Sequence, residues 1–173
     1  MTANELDKLI VDVSLEAPNA LEILYTETRV AVFGLAFSIL KDYALAEDIT
    51  HDVYIKIRTY SKKYKARGKG KAWILKITRN LTYSFLKKNQ NLTIMESDLI
   101  ANKELIENFD DNLALREALL ALNDKQREIV VLYAVSGFTH KEIANLLNIT
   151  YPTVRWHYHM ALKNLKNIIE RGL

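Results

Sequence analysis

Residues 138–154 read FTHKEIANLLNITYPTV, and this stretch decides the fold of the C-terminal third of the chain. Thr139, followed three residues later by Glu142, is a capping box that starts a helix. Ile143, Ala144 and Leu147 fall on one face of that helix and point inward. Asn148 sits where a turn needs a positive φ, which Asn tolerates better than most residues, and Ile149 is expected to plug the core. Thr150 caps a last helix with Pro152 in its first turn, where the missing N–H costs nothing. Val154, Tyr158, Ala161, Leu165 and Ile168 then form the buried stripe. Helix, short turn, second helix with an exposed N-terminal half is a helix-turn-helix, and the small Ala144 permits the close crossing it needs. Two helices precede it, Leu113 to Leu122 and Asp124 to Val135, the second expected to be capped by Asp124 and closed by Gly137.

The N-terminal half is helical as well. From Asn19 to Leu40 the residues Leu21, Leu24, Tyr25, Val32, Leu35 and Ile39 recur mostly at three- and four-residue steps. Asp42 can cap a helix running to about Tyr64, with Ala46, Ile49, Val53, Ile57 and Tyr60 on its inner face. Two glycines make Lys65–Gly70 a loop. A further helix follows from about Lys71 to Lys88, with Ile74, Ile77, Leu81 and Phe85 inward and Lys76, Asn80, Tyr83 and Lys87 outward, joined by Arg79. Glu5 to Leu15 makes a short additional helix. The expected fold class is all-α, with two small helical domains over residues 1–90 and 112–173. A flexible acidic linker over residues 91–111 joins them.

Composition narrows the class further. Five Gly and two Pro are too few for the turns of a β-sandwich or barrel. With no Cys there is neither a disulfide scaffold nor a thiolate metal site, which fits a reducing cytoplasm. The start, MTANELDK, is not a secretory signal. The longest apolar run, Val30 to Leu40, is 11 residues, too short to span a membrane. Charge is segregated along the chain. Residues 1–52 hold 10 acids and 3 bases, residues 53–95 hold 12 bases and no acid, and residues 96–128 return to 9 acids and 4 bases. The basic block implies a polyanion partner. Tyr60, Tyr64, Trp73 and Tyr83 inside it favour nucleic acid, whose bases stack on such rings.

The runs AEDITHDVYIKI (46–57) and KAWILKITRNLTYSFLKK (71–88) resemble the second conserved region of bacterial RNA polymerase sigma factors. The run from Ala118 to Lys166 resembles their fourth region. With these two regions and a short linker, the chain is similar to the small extracytoplasmic-function type of the sigma-70 family. The resemblance implies core RNA polymerase (its largest-subunit clamp helices and flap) and promoter DNA as partners, with an anti-sigma factor as a further one. It implies that Glu47, Asp48, Asp52 and Tyr54 dock on the polymerase. It also implies that Arg67, Lys69, Lys71, Trp73, Lys76, Arg79, Asn80, Tyr83 and Lys87 open and read the −10 element. Asn80 and the loop Lys65–Lys71 are the base-pocket candidates. In the last helix, Thr153, Arg155, Trp156, His157, His159 and Lys163 face the −35 element, with Arg155 best able to make a bidentate contact to guanine. The chain departs from the family at His51-Asp52, where Gln-Glu is usual, and at Trp156, His157 and Met160.

Other chemistry is weakly supported. Asp48, His51 and Asp52 share a helical face at ligand-like spacing, but no second helix offers a matching pair, so no metal and no cofactor is expected. Residues 67–71 resemble a phosphate loop only in composition. No Ser has a convincing His partner, and an enzyme is not expected. Trp73 is open to two readings, core packing or a DNA-facing ring. The alternative function is a free-standing helix-turn-helix regulator with a helical sensor or dimerisation half.

Overall fold

The computed structural model describes residues 1–89 and 113–170. Among them all regular structure is helical. The elements are α1 (Ala3–Ser14), α2 (Ala20–Leu40), α3 (Tyr43–Tyr60), a 3-10 turn (Ser61–Lys63), α4 (Gly70–Asn89), α5 (Leu113–Leu120), α6 (Asp124–Ala134), α7 (His140–Leu147) and α8 (Tyr151–Glu170). The chain divides into two compact units, Met1–Met95 and Glu96–Leu173. The expected acidic linker, residues 91–111, lies outside the described residues.

The first unit is built around α2, which packs on α1, α3 and α4. Surrounded on three sides, it buries Leu24, Val32, Leu35 and Ala36 completely. This corrects the reading of the apolar run. At 21 residues, with a mean hydropathy of 1.4 over its most apolar window, α2 is long and apolar enough to cross a membrane. That window is 61% buried inside the unit, the place of a core helix. Counting an uninterrupted run stopped at Arg29 and missed Leu21, Ile23, Leu24 and Tyr25 in the turns before it.

Local chemistry sets the other helices. Thr2 and Glu5 form a capping box that starts α1, sending Leu6, Leu9, Ile10 and Val13 into the core. Asp42 caps α3 as expected, accepting the Leu45 N–H at 2.8 Å. Ala46, Ile49, Val53 and Ile57 are buried, but Tyr60 is not: it is 47% exposed. The helix ends there instead of at Tyr64, and the 3-10 turn buries Ser61 in its place. In α4, Ile74, Leu75 and Ile77 are buried beside Thr78 and Thr82, whose hydroxyls donate to the carbonyls of Ile74 and Thr78. Leu81 and Phe85 are half-buried.

One carboxylate ties α1 to the start of α4. Asp7 is buried, and its Oδ1 accepts the Tyr64 hydroxyl at 2.6 Å and the Gly70 N–H at 2.8 Å. Its Oδ2 accepts the Gly68 N–H at 2.6 Å. Gly70 is pressed against α1 at this point. A Cβ there would lie 2.8 Å from both Asp7 Oδ1 and Ile10 Cδ1 and 3.2 Å from Leu6 Cγ.

In the second unit, Leu119, Leu122, Val130, Val131 and Ala161 form a core cluster, with Val135, Tyr158 and Leu165 packed against it. The cap of α6 is Asn123, not Asp124. Asn123 Oδ1 accepts the Gln126 N–H at 2.9 Å, while Gln126 Oε1 accepts the Asn123 N–H. Asp124 instead pairs with Arg127 at 3.0 Å. Arg127 is 2% exposed, and its guanidinium donates to the carbonyls of Leu119, Leu120 and Leu122. The end of α5, which would leave bare carbonyls, is thereby satisfied. Gly137 has φ +67° and donates its N–H to Tyr133 O, turning the chain out of α6 as expected.

His157 of α8 is half-buried, and its pKa lies below the ordinary 6.5, first through burial and second through the charge of Lys125 on α6.

Two predictions follow from this packing. Gly70→Ala should destabilise the first unit by about 1–3 kcal/mol, because Asp7 is held by three hydrogen bonds and Ile10 is fully buried, so neither can yield cheaply; chemical denaturation checks it. The folded state favours neutral His157, so its contribution is present above the ordinary pKa and lost as pH falls through the lowered folded value. Urea midpoints should therefore drop as pH falls below the ordinary histidine value, and His157→Gln should flatten that dependence.

Candidate nucleic-acid interface

The side chains of the basic block lie on the outside of the first unit. Lys56, Arg58, Lys62, Lys63, Lys65, Arg67, Lys69, Lys71, Lys76, Lys87 and Lys88 are all exposed. On α4 the expected stripe is the observed one: Lys76, Asn80, Tyr83 and Lys87 face water. Arg79 is half-buried, its guanidinium 4.6 Å from the centre of the Tyr83 ring. An arginine backed by an aromatic ring keeps its charge toward solvent with less freedom to swing. Trp73 falls between its two readings, half-buried with its ring 4.8 Å from that of Tyr64. It packs the base of the loop that carries Arg67 and Lys69, with Lys71 following in the first turn of α4. Tyr60, freed from the core, lies beneath Lys56 at 5.9 Å and adds an aromatic surface that its place in the apolar pattern had concealed.

A second face of the same unit is acidic. Asp48, His51, Asp52 and Ile55 are exposed along α3 at three- and four-residue steps, with Glu47 half-buried beside them. Tyr54 does not belong to this face. It is buried, its ring 4.8 Å from Tyr25 and its hydroxyl 2.7 Å from Thr28 Oγ1, and burial pushes its pKa well above the usual phenol range. Directly after Val53 and four residues after Thr50, both buried, it lies on the inner side of the helix. The apolar contact on the outer side is Ile55, 64% exposed. An isoleucine out of step with Ala46, Ile49, Val53 and Ile57 was the available signal. Among the described residues no group of three His, Cys, Asp or Glu is arranged to hold a metal ion. Between α1, α2 and α3 lies a cleft of about 530 Å³, lined among others by Val13, Tyr25 and Tyr54 and edged by Glu16, Glu22 and Arg58.

In the second unit the sequence-level geometry is found nearly whole. Thr139 Oγ1 accepts the Glu142 N–H at 3.3 Å, and Glu142 Oε2 accepts the Thr139 N–H at 2.8 Å. Ile143, Ala144 and Leu147 are buried. Asn148 is left-handed at φ 53°, and it and Ile149 both donate their N–H to Ala144 O. Ile149 is half-buried and plugs the core only partly. Thr150 caps α8 by accepting the Thr153 N–H at 3.3 Å. Thr153 is consequently committed to the cap, its hydroxyl 2.7 Å from that of Thr150.

Arg155, Trp156, His159 and Lys163 are exposed on α8, Trp156 by 59%. His157 turns partly inward, and its Nδ1 is buried with no hydrogen-bond partner among the described residues. Tyr151, missed by sequence reasoning, is 40% exposed and lies under Arg155 at 5.9 Å. His140 joins it to the core, its ring 4.9 Å from both Tyr133 and Tyr158 and 6.3 Å from Tyr151. This aromatic cluster fixes the start of α8 against α6 and α7.

Comparison with known proteins gives a family for both units. Residues 24–92 match Sigma-70 region 2, and residues 112–165 match Sigma-70, region 4. The ECF RNA polymerase sigma factor SigK of Mycobacterium bovis is 25% identical over 180 residues, covering 97% of this chain and 95% of the relative. SigK of Mycobacterium sp. strain KMS is 23% identical over 177 residues, with 95% and 91% covered. Among solved structures, CnrH in complex with the cytosolic domain of CnrY shares the fold at a TM-score of 0.70 and 17% identity, with 99% of both chains covered. The sigma factor RpoE from Bartonella quintana, in complex with the anti-sigma factor NepR, gives 0.68 and 21%, covering 90% of this chain and 99% of that one. The N-terminal half, which a free-standing regulator would use as a sensor, is itself a sigma region. The chain belongs to the sigma-70 family and is an RNA polymerase sigma factor of the extracytoplasmic-function type.

Proposed function

We propose that the acidic face of α3 docks this sigma factor on core RNA polymerase. Glu47, Asp48 and Asp52 supply the charge and Ile55 the apolar centre, which suits a basic protein partner and repels DNA. The loop of residues 65–69, Lys71 in the first turn of α4 and the exposed stripe of that helix then take the −10 element. Asn80 offers both a donor and an acceptor to the edge of an extruded base, while Lys76, Arg79 and Lys87 hold the backbone. The N-terminal half of α8 enters the major groove at the −35 element, led by Arg155. The observation that carries this reading is the sorting of opposite charge onto separate faces of one small unit. A sensor or dimerisation domain has no use for an acidic docking helix followed at once by a basic, Asn-bearing one.

The chain supplies binding and strand separation, and bond formation belongs to the polymerase. It would work in the cytoplasm, where polymerase and chromosome meet. The likeness to sigma chains solved with the cytosolic domain of CnrY and with NepR supports an anti-sigma factor as a further partner. The direct test is whether the purified chain co-elutes with core polymerase and confers promoter-specific transcription on it. Tight sequence-specific binding by the free chain, unaffected by core, would sink this reading.

Two variants test the separate faces. Replacing Asp48 and Asp52 with Lys sets like charge against a basic surface. It should lower core affinity severely in a pull-down while leaving helix content unchanged and binding to DNA undiminished. Arg155→Ala should cost about 1–3 kcal/mol of discrimination at one −35 position, whereas Lys163→Ala should weaken binding evenly across sequences. A screen of promoter variants separates the two.

A further inference from the structure

We propose that Asp7 is a positioning residue for −10 recognition: from α1 it holds the backbone of residues 64–70 in the shape that receives an unstacked base. The proposal rests on the sigma reading above and names a residue outside both matched segments.

The carboxylate is spent on this loop. Its three partners, the Tyr64 hydroxyl and the Gly68 and Gly70 amides, span the loop from one end to the other. Through Tyr64, whose ring meets Trp73 at 4.8 Å, the same anchor reaches the first turn of α4. Lys65, Arg67 and Lys69 on the loop are exposed, so the backbone is drawn inward while the cations point out. Without an internal anion, that run of like charges would spread the segment.

Leu6, Leu9, Ile10 and Val13 already seat α1 in the core, so the anchoring of the helix does not depend on Asp7; the carboxylate is what satisfies the donors of the loop. What an apolar residue cannot do is fix two backbone amides and a hydroxyl at once. Burial works against the charge, but the bonds from Tyr64, Gly68, Gly70 and the Arg67 backbone outweigh it and hold the carboxyl below its ordinary value. The anion is therefore the resident form. At Gly68, φ is +68° with open space around a would-be Cβ, so the backbone there is bent for the sake of its shape and not to avoid a neighbour.

The test uses the full chain with core polymerase. Asp7→Asn keeps the size, but it turns an amide donor toward one of the groups that now donate. The readout is the ratio of open-complex rates on promoters differing at a single −10 position, followed by permanganate footprinting. That ratio should fall roughly ten- to hundredfold, since small misplacements of a site cost that much. Core affinity and −35 protection should remain. Tyr64→Phe keeps the ring on Trp73, removes one bond of the three and should give a smaller loss in the same direction. It decides the matter where Asp7→Asn loses helix content. Wild-type ratios in both variants would overturn the assignment, as would a parallel loss of core binding, which marks a merely structural role. A wild-type chain that melts no promoter with core overturns the sigma reading itself, a result distinct from unchanged variants beside an active wild type.

Discussion

Enclosing α2 between three other helices obliges α3 and α4 each to give one side to it and the other to water. Those two outer sides, with the loop between them, are the surfaces on which the proposed function rests. A helix turns 100° per residue, so a four-residue step returns to nearly the same face. In α3 that rule gathers Asp48, His51, Asp52 and Ile55, and in α4 it gathers Lys76, Asn80, Tyr83 and Lys87. The acids and the bases thus occupy different surfaces although they are neighbours in sequence. Core packing settles the rotation of each helix, and charge sorting follows from it.

The second unit reaches order by other means. Apart from α8 its helices are short, and short helices have proportionally more unsatisfied ends. Asn123, Thr139 and Thr150 meet the N-terminal amides of α6, α7 and α8, while Arg127 meets the carbonyls that end α5. Burying a guanidinium is expensive unless its donors are used, and here the donors go to three carbonyls and Asp124. The aromatic cluster at His140 then adds contact area where the helices alone would provide little. The outcome is a small platform from which α8 projects its basic and aromatic side chains.

Helix existence, the helix-turn-helix with its Asn148 turn and the exposed stripe of α4 were legible in the sequence, because periodicity and capping are local properties. What was not legible depended on partners far along the chain. Tyr54 shared an acidic segment with Asp52, yet its ring belongs to Tyr25 and Thr28 on α2. Tyr60 fitted the inner stripe of α3 until the helix gave way one residue later. Asp124 and Asn123 are both good caps, and only the bond to Gln126 separates them. Asp7 was the subtlest case. An acid between Leu6 and Ile10, inside an apolar stripe, is a signal of a buried anchor, but the donors that justify it lie some sixty residues away.

The two glycines of the loop divide it into a part that variation can rewrite and a part that it cannot. Gly70 is constrained by space, since even a methyl group would meet α1. Gly68 is constrained only by handedness, and Asn or Asp, which visit the left-handed region more readily than other side chains, can stand there. The side chains of residues 65, 66, 67 and 69 are exposed and carry none of the bonds to Asp7. A frame of backbone amides with interchangeable side chains is the arrangement by which related chains could diverge in the promoters they choose while folding alike. If the loop reads the −10 element as proposed, these are four positions at which to seek new preferences without rebuilding the unit beneath them.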